Sequence, residues 1–228
     1  MVSCEHGGNQ IPPNYRALFR GQEELLASHL GYDRGALPLA RQLAADLAAP
    51  LEFAETTRLL VDLNRGRKSP CLFSEPTRDM TVAEQNQLLL LHYLPYRAAM
   101  TGRVSKLIAD GAQVLHLSVH SFTPCFQGKV RHAKLGLLYD PVRNEEKRFS
   151  QAWKRLLKQY SPDLRVRCNY PYRGTADGLT RSLRQKFGQS DYLGIELEVN
   201  QALLDGEEFP PSLQRCLHET LCELLPSD

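Results

Sequence analysis

Two histidines in this chain stand where apolar runs end. His6 follows the run "VSC" and precedes Gly7-Gly8, and His120 closes "VLHLSVH". Asp33, in "GYDRGA", stands at the entrance of a helical pattern. Two imidazoles and one carboxylate, with a fourth position left for water, form the donor set of a catalytic zinc site. Glu5 and Asp62 are the competing carboxylates. His116 is excluded as a partner of His120 on one ion. Residues four apart in a strand are ~13 Å apart, whereas zinc–nitrogen bonds are ~2 Å, so His116 reads as a core or supporting histidine. Glu196 and Glu198 alternate with apolar residues in "GIELEV" and share one face of a strand. A buried carboxylate needs a partner or a function, and either one could deprotonate a metal-activated water. Arg58, Asn64 and Arg65 bracket "LLVDL", and Arg173 lies in "NYPYRGTADG". Guanidinium forks suit carboxylate substrates and developing oxyanions.

These residues need a frame, and the hydrophobic pattern supplies one. Val2–Cys4, Leu59–Leu63, Val114–His120, Leu135–Tyr139, Arg165–Cys168 and Tyr192–Val199 read as strands. Arg20–Leu30, Ala36–Ala48, Glu145–Tyr160, Gly178–Phe187 and Pro211–Leu225 read as helices. Thr81-Val-Ala-Glu84 is a capping box that opens a long helical region to about Ala109, kinked or split at Pro95. Apolar strands alternating with amphipathic helices predict an α/β fold whose mostly parallel sheet is covered on both faces. In such sheets ligands bind beyond the carboxyl ends of the strands, where His6, Asn64, Arg65, His120 and the Glu196–Glu198 pair fall. Gly7 and Gly8 are expected to act as the joint that swings His6 over that edge.

The bulk composition narrows the classes. With 228 residues, 42% hydrophobic and 24% charged, the chain reads as one globular domain, 1–228. Its net charge of +2 carries no clustered basic footprint, so no nucleic-acid partner is expected. No apolar run reaches ~18 residues, so no membrane span is expected. Neither is a signal peptide, and the expected compartment is the cytoplasm. The six cysteines show no C-x-x-C spacing and read as free thiols, with Cys216 and Cys222 as core filler in the last helix.

Taken in order, "SCEHGGNQIP", "DRGALPLARQLA", "TRLLVDLNR", "HLSVHSFTP", "YPYRGTADGLTRSLR" and "GIELEVNQ" resemble the N-formylglutamate amidohydrolase family over nearly the whole chain. The resemblance implies a three-layer αβα sandwich with a mixed, mostly parallel sheet, phosphorylase/hydrolase-like and of the zinc exopeptidase type. It also implies one zinc ion on His6, Asp33 and His120, with Glu196 of the "GIE" element as general base and Arg58 assisting catalysis. Asn64, Arg65, Tyr172 and Arg173 would line a pocket for a small carboxylate-bearing substrate. Glu198 stands where the family pattern often carries an arginine, which shifts any contact to a substrate side-chain carboxylate towards Arg65 or Arg173. The implied reaction is hydrolysis of an N-formyl or other N-acyl amino acid. The alternatives are a zinc amidase or deacylase acting on another acyl amino acid or a cell-wall peptide, and a non-catalytic binding protein of the same fold.

Overall fold

In the computed structural model, which describes residues 1–225, the strands are β1 (Val2–Cys4), β2 (Leu51–Phe53), β3 (Val114–Phe122), β4 (Cys125–Phe126), β5 (Lys129–Val130), β6 (Leu135–Leu138), β7 (Val166–Cys168) and β8 (Tyr192–Asn200). The helices are α1 (Glu23–Ala27), α2 (Ala36–Asp46), α3 (Glu75–Arg78), α4 (Val82–Leu88), α5 (Leu94–Ala109), α6 (Asn144–Tyr160), α7 (Leu179–Arg184) and α8 (Pro211–Leu224). Six strands form one sheet in the order β2-β1-β3-β8-β6-β7. β2, β1, β3 and β8 run parallel, whereas β6 pairs antiparallel with β8 and carries β7 parallel to itself. β4 and β5 form a small hairpin beyond the end of β3.

Side chains alternate across a strand with period two, and in β3 and β8 this separates two kinds of surface. Leu117, Val119, Ile195, Leu197 and Val199 join a fully apolar core with Leu43 of α2, Trp153 of α6 and Leu217 of α8. The other face changes character along its length. At the amino ends Val114 and Tyr192 pack with Met100 and Val104 of α5 and Leu183 of α7. Further along, His116, Ser118, His120, Glu196 and Glu198 occupy the same face and are all buried. Helices thus cover both faces, and the polar stripe runs out to the carboxyl edge.

Several expected elements are redrawn. "LLVDL" is not a strand; Leu60 N donates to Thr57 O and Asp62 N to Leu72 O, which makes it a turn-containing loop. Its leucines are nonetheless buried, in two satellite clusters. A short apolar run satisfies a buried loop as well as a buried strand. One edge of the sheet is β2, which precedes this loop. The Arg20–Leu30 helix shrinks to α1, because Ser28 leaves helical geometry and its hydroxyl bonds Leu25 O. The capping box at Thr81 forms, and the break in the long helix is a π-turn over Leu89–Tyr93 leading into Pro95. Cys216 lies in the core, but Cys222 is exposed, 3.1 Å from His218 Nε2.

Gly7 and Gly8 serve a purpose other than a sharp turn. Neither has a positive φ. A Cβ on Gly7 would stand 2.9 Å from Ala54 O, and one on Gly8 would stand 2.5 Å from Glu55 O. The pair is small because the chain leaving β1 lies against the chain leaving β2, where Gly7 N donates to Ala54 O at 3.0 Å.

Candidate active site

His6 and His120 are brought to one point by β1 and β3. These strands are parallel neighbours, with Ser3 paired to Ser118, so the residues that follow meet at the same edge. Asp33 arrives from the loop before α2, held by its own N–H, which donates to His6 O at 2.9 Å. Gly35 makes that loop possible: it adopts φ +77, and a Cβ there would meet Leu204 at 2.5 Å. One ligand atom each from His6, Asp33 and His120 lie within 4.8 Å of one another, and all three residues are buried.

Each of the two rings lies between carboxylates. His6 Nε2 is 2.7 Å from Asp62 Oδ1, and His120 Nε2 is 3.1 Å from Glu5 Oε2. Carboxylates accept only, so a ring that donates through Nε2 to the carboxylate behind it presents an Nδ1 lone pair towards Asp33. Both Nδ1 atoms face Asp33 Oδ2, at 3.4 Å from His6 and 2.8 Å from His120. In that tautomer three electron-pair donors point at one another and need a cation among them, either a proton or a metal. A carboxylate that accepts the second N–H of a histidine is also the usual support of a metal-ligating ring. The electrostatics show the excess of negative charge around these rings. Burial lowers the His120 imidazole, but Asp33 and Glu5 outweigh it and hold it well above its ordinary value. Burial raises Asp33, but His6 and His120 outweigh it and hold its carboxyl well below the usual range. The residues therefore fit a metal ion such as zinc in number and type.

Glu5 and Asp62, the rival carboxylates, are committed elsewhere. Glu5 accepts from Ser118 Oγ at 2.6 Å and from Tyr96 OH at 3.0 Å, besides facing His120. Asp62 accepts from Asn64 N at 2.9 Å and from Arg58 Nη2 at 2.7 Å, besides facing His6. Ser118 and Tyr96 carried no sequence signal beyond their types.

The remaining expected residues divide. Arg58 reaches Asp62 through Nε and Nη2 and lies 3.4 Å from Asp33 Oδ1 through Nη1, so it braces two carboxylates of the site. Asn64 Nδ2 lies 3.3 Å from His120 Nε2, and its Oδ1 accepts from Leu179 N. Arg65 donates to Asp177 O at 3.2 Å from the rim. Tyr172 and Arg173 lie on the exposed loop after β7. Glu196 and Glu198 share the ligand-bearing face but differ in neighbours. Glu196 pairs with Ser118 and accepts from Thr180 Oγ1. Glu198 pairs with His120 itself. Burial pushes the Glu198 carboxyl up to about 8, with Asp33 and Glu196 adding to the shift and His120 and Arg58 opposing it.

His116 is a core residue. Its Nε2 meets Ser3 Oγ and its Nδ1 meets Tyr192 OH, each at 2.7 Å, and burial lowers it from 6.5 to about 3. The folded protein keeps this ring neutral where the unfolded chain protonates it. Stability therefore falls as pH drops from 6.5 towards 3, by up to about 1.4 kcal/mol per unit from this group. Urea unfolding of wild type and His116→Gln at pH 7 and pH 5 checks this, and the variant should lose less stability on acidification.

No helix among the described residues is long and apolar enough to cross a membrane. A model of the N-formylglutamate amidohydrolase family matches residues 1–204. Among solved structures, a gene product from Agrobacterium tumefaciens aligns with TM-score 0.81 and 27% identity, covering 98% of this chain and 90% of that one. The N-formylglutamate amidohydrolase from Ralstonia eutropha JMP134 aligns with TM-score 0.70 and 19% identity, covering 98% and 92% respectively, a likeness of fold. No curated protein matches.

Proposed function

The chain belongs to the N-formylglutamate amidohydrolase family, and on that premise we propose that His6, Asp33 and His120 hold one zinc ion that serves hydrolysis of the amide bond of a small, carboxylate-bearing N-formyl amino acid. The observation that carries the metal reading is the convergence of two Nδ1 atoms on Asp33 Oδ2, with a carboxylate behind each ring. Zinc, when bound, polarises the acyl carbonyl and lowers the pKa of water towards ~7.

The protein's own groups do the rest. Glu198, directly across from His120, takes the proton from the attacking water and returns it to the leaving amine. This reading moves the base by two residues from Glu196, whose carboxylate is engaged with Thr180 one step deeper in the sheet. Asp62 and Glu5 orient His6 and His120 and keep the proton on Nε2 of each ring. Arg58 holds Asp62 and Asp33 in place and contributes positive charge beside the developing oxyanion. Asn64 and Arg65 border the space in front of His120, and Tyr172 and Arg173 form its outer rim. The substrate is a small molecule; the protein needs neither nucleic acid nor a bilayer for this chemistry, and the cytoplasm suits it.

The test is metal analysis of the purified protein together with release of formate from N-formylglutamate. About one zinc per chain is expected, with activity lost to a chelator and restored by zinc. Turnover confined to N-acetyl amino acids or short cell-wall peptides would move the substrate. Ligand binding without turnover of any of these would remove the catalytic reading.

A further inference from the structure

Arg131 was not singled out by any motif, yet it is the most unusually placed cation near the site. It follows the β4–β5 hairpin, and its backbone is pinned on both sides: its N–H donates to Pro124 O at 2.7 Å, and its carbonyl accepts from Asn200 Nδ2 at 2.9 Å. Its guanidinium carbon lies 4.7 Å from the Phe126 ring centre, 5.4 Å from Tyr172 and 5.7 Å from Phe122. Nη1 is buried and has no hydrogen-bond partner among the described residues.

Aromatic faces hold a guanidinium by its charge and its flat surface. They leave the N–H bonds, which lie in its plane, without acceptors. A buried N–H without an acceptor is unfavourable, and a carboxylate is the partner that a planar fork matches in two places at once. The position bears on the site already described. Phe122 is two residues beyond His120 on the same strand and therefore on the same face. The other arginines are less suited. Arg58 is paired with two aspartates, Arg65 donates to a backbone carbonyl and its Nε, also without a hydrogen bond, lies 3.7 Å from Asp62 Oδ2, and Arg173 is exposed to water.

We infer that Arg131, framed by Phe122, Phe126 and Tyr172, is the specificity-determining residue that binds a carboxylate of the substrate. The inference rests on the amidohydrolase reading for the identity of the ligand, not for the existence of the anion subsite. Substrates with a carboxylate at the right distance from the scissile amide are then selected over their amides, because an amide placed there brings no charge to pair with the guanidinium.

Titration calorimetry tests this on the intact protein with N-acetyl-L-glutamate and its two monoamides, N-acetyl-L-glutamine and N-acetyl-L-isoglutamine. Wild type should bind the diacid about 30-fold or more tightly than one of the two amides, and that amide tells which carboxylate Arg131 holds. Arg131→Met should abolish the preference. Arg131→Lys, which keeps the charge and loses the fork, should retain about a tenth of it and covers the case in which the Met variant does not fold. A wild type that binds the three ligands equally, or not at all, overturns the assignment, as does a preference that survives in a folded Arg131 variant. Loss of the preference in the variants, in a protein that hydrolyses no N-acyl amino acid, would keep the anion subsite and sink the amidohydrolase reading alone.

Discussion

Glu198→Gln is expected to lower kcat by about 10³, the usual scale for losing a general base, while Glu196→Gln stays within about tenfold of wild type. Steady-state hydrolysis of N-formylglutamate by the two variants checks this. The contrast comes from strand register. Both carboxylates face the same way, but His120 is opposite Glu198 and Ser118 is opposite Glu196. Neighbouring strands are ~4.8 Å apart and one step of two residues along a strand is ~6.6 Å. A water beside His120 is therefore within reach of Glu198 and one layer removed from Glu196. Glutamine keeps the size of the side chain and one accepting oxygen but cannot take up the proton, so its effect reports the lost basicity. Metal content should be unchanged in both variants. Equal losses at the two positions would mean that the deeper glutamate also takes part. A large loss at Glu196 alone would return the base to that residue.

Asp33→Asn is expected to abolish stoichiometric zinc and to reduce kcat/KM by about 10³ or more, as the open site depends on the ligand it loses. Glu5→Gln should retain the ligand set but weaken zinc binding by about 10–100-fold, the typical effect of removing a group that orients a metal-bound histidine. Its kcat should approach the wild-type value when zinc is in excess. Competition with a chromophoric chelator, read beside activity over a zinc titration, separates the two cases. Asp33 provides the oxygen that faces both Nδ1 atoms, whereas Glu5 touches only the far side of one ring. If Glu5→Gln also lost all zinc and did not recover with excess metal, Glu5 would have to be counted among the ligands.

Much of this arrangement could be read before folding. His6 and His120 close apolar runs, Asp33 opens a helix, and the Glu196–Glu198 pair alternates with apolar residues. Those are local patterns, and local patterns translate directly into strand ends, helix starts and shared faces. The same patterns misled where one local signal serves two structures. "LLVDL" is apolar because its leucines are buried, and burial is shared by a strand and a tucked loop. Gly7-Gly8 suggested a turn, whereas the glycines make room for the backbone of residues 54 and 55.

Periodicity along one strand, then, determined which residues face the site and placed the two histidines at its edge. It carried no information on which residue of the next strand lies opposite. That choice belongs to register, set by contacts between segments far apart in the chain, and it singles out Glu198. The same holds for Asp62 behind His6, Glu5 behind His120, and Arg131 among three rings drawn from separate segments. Each depends on where side chains meet in space, which the spacing of residue types along the chain does not encode.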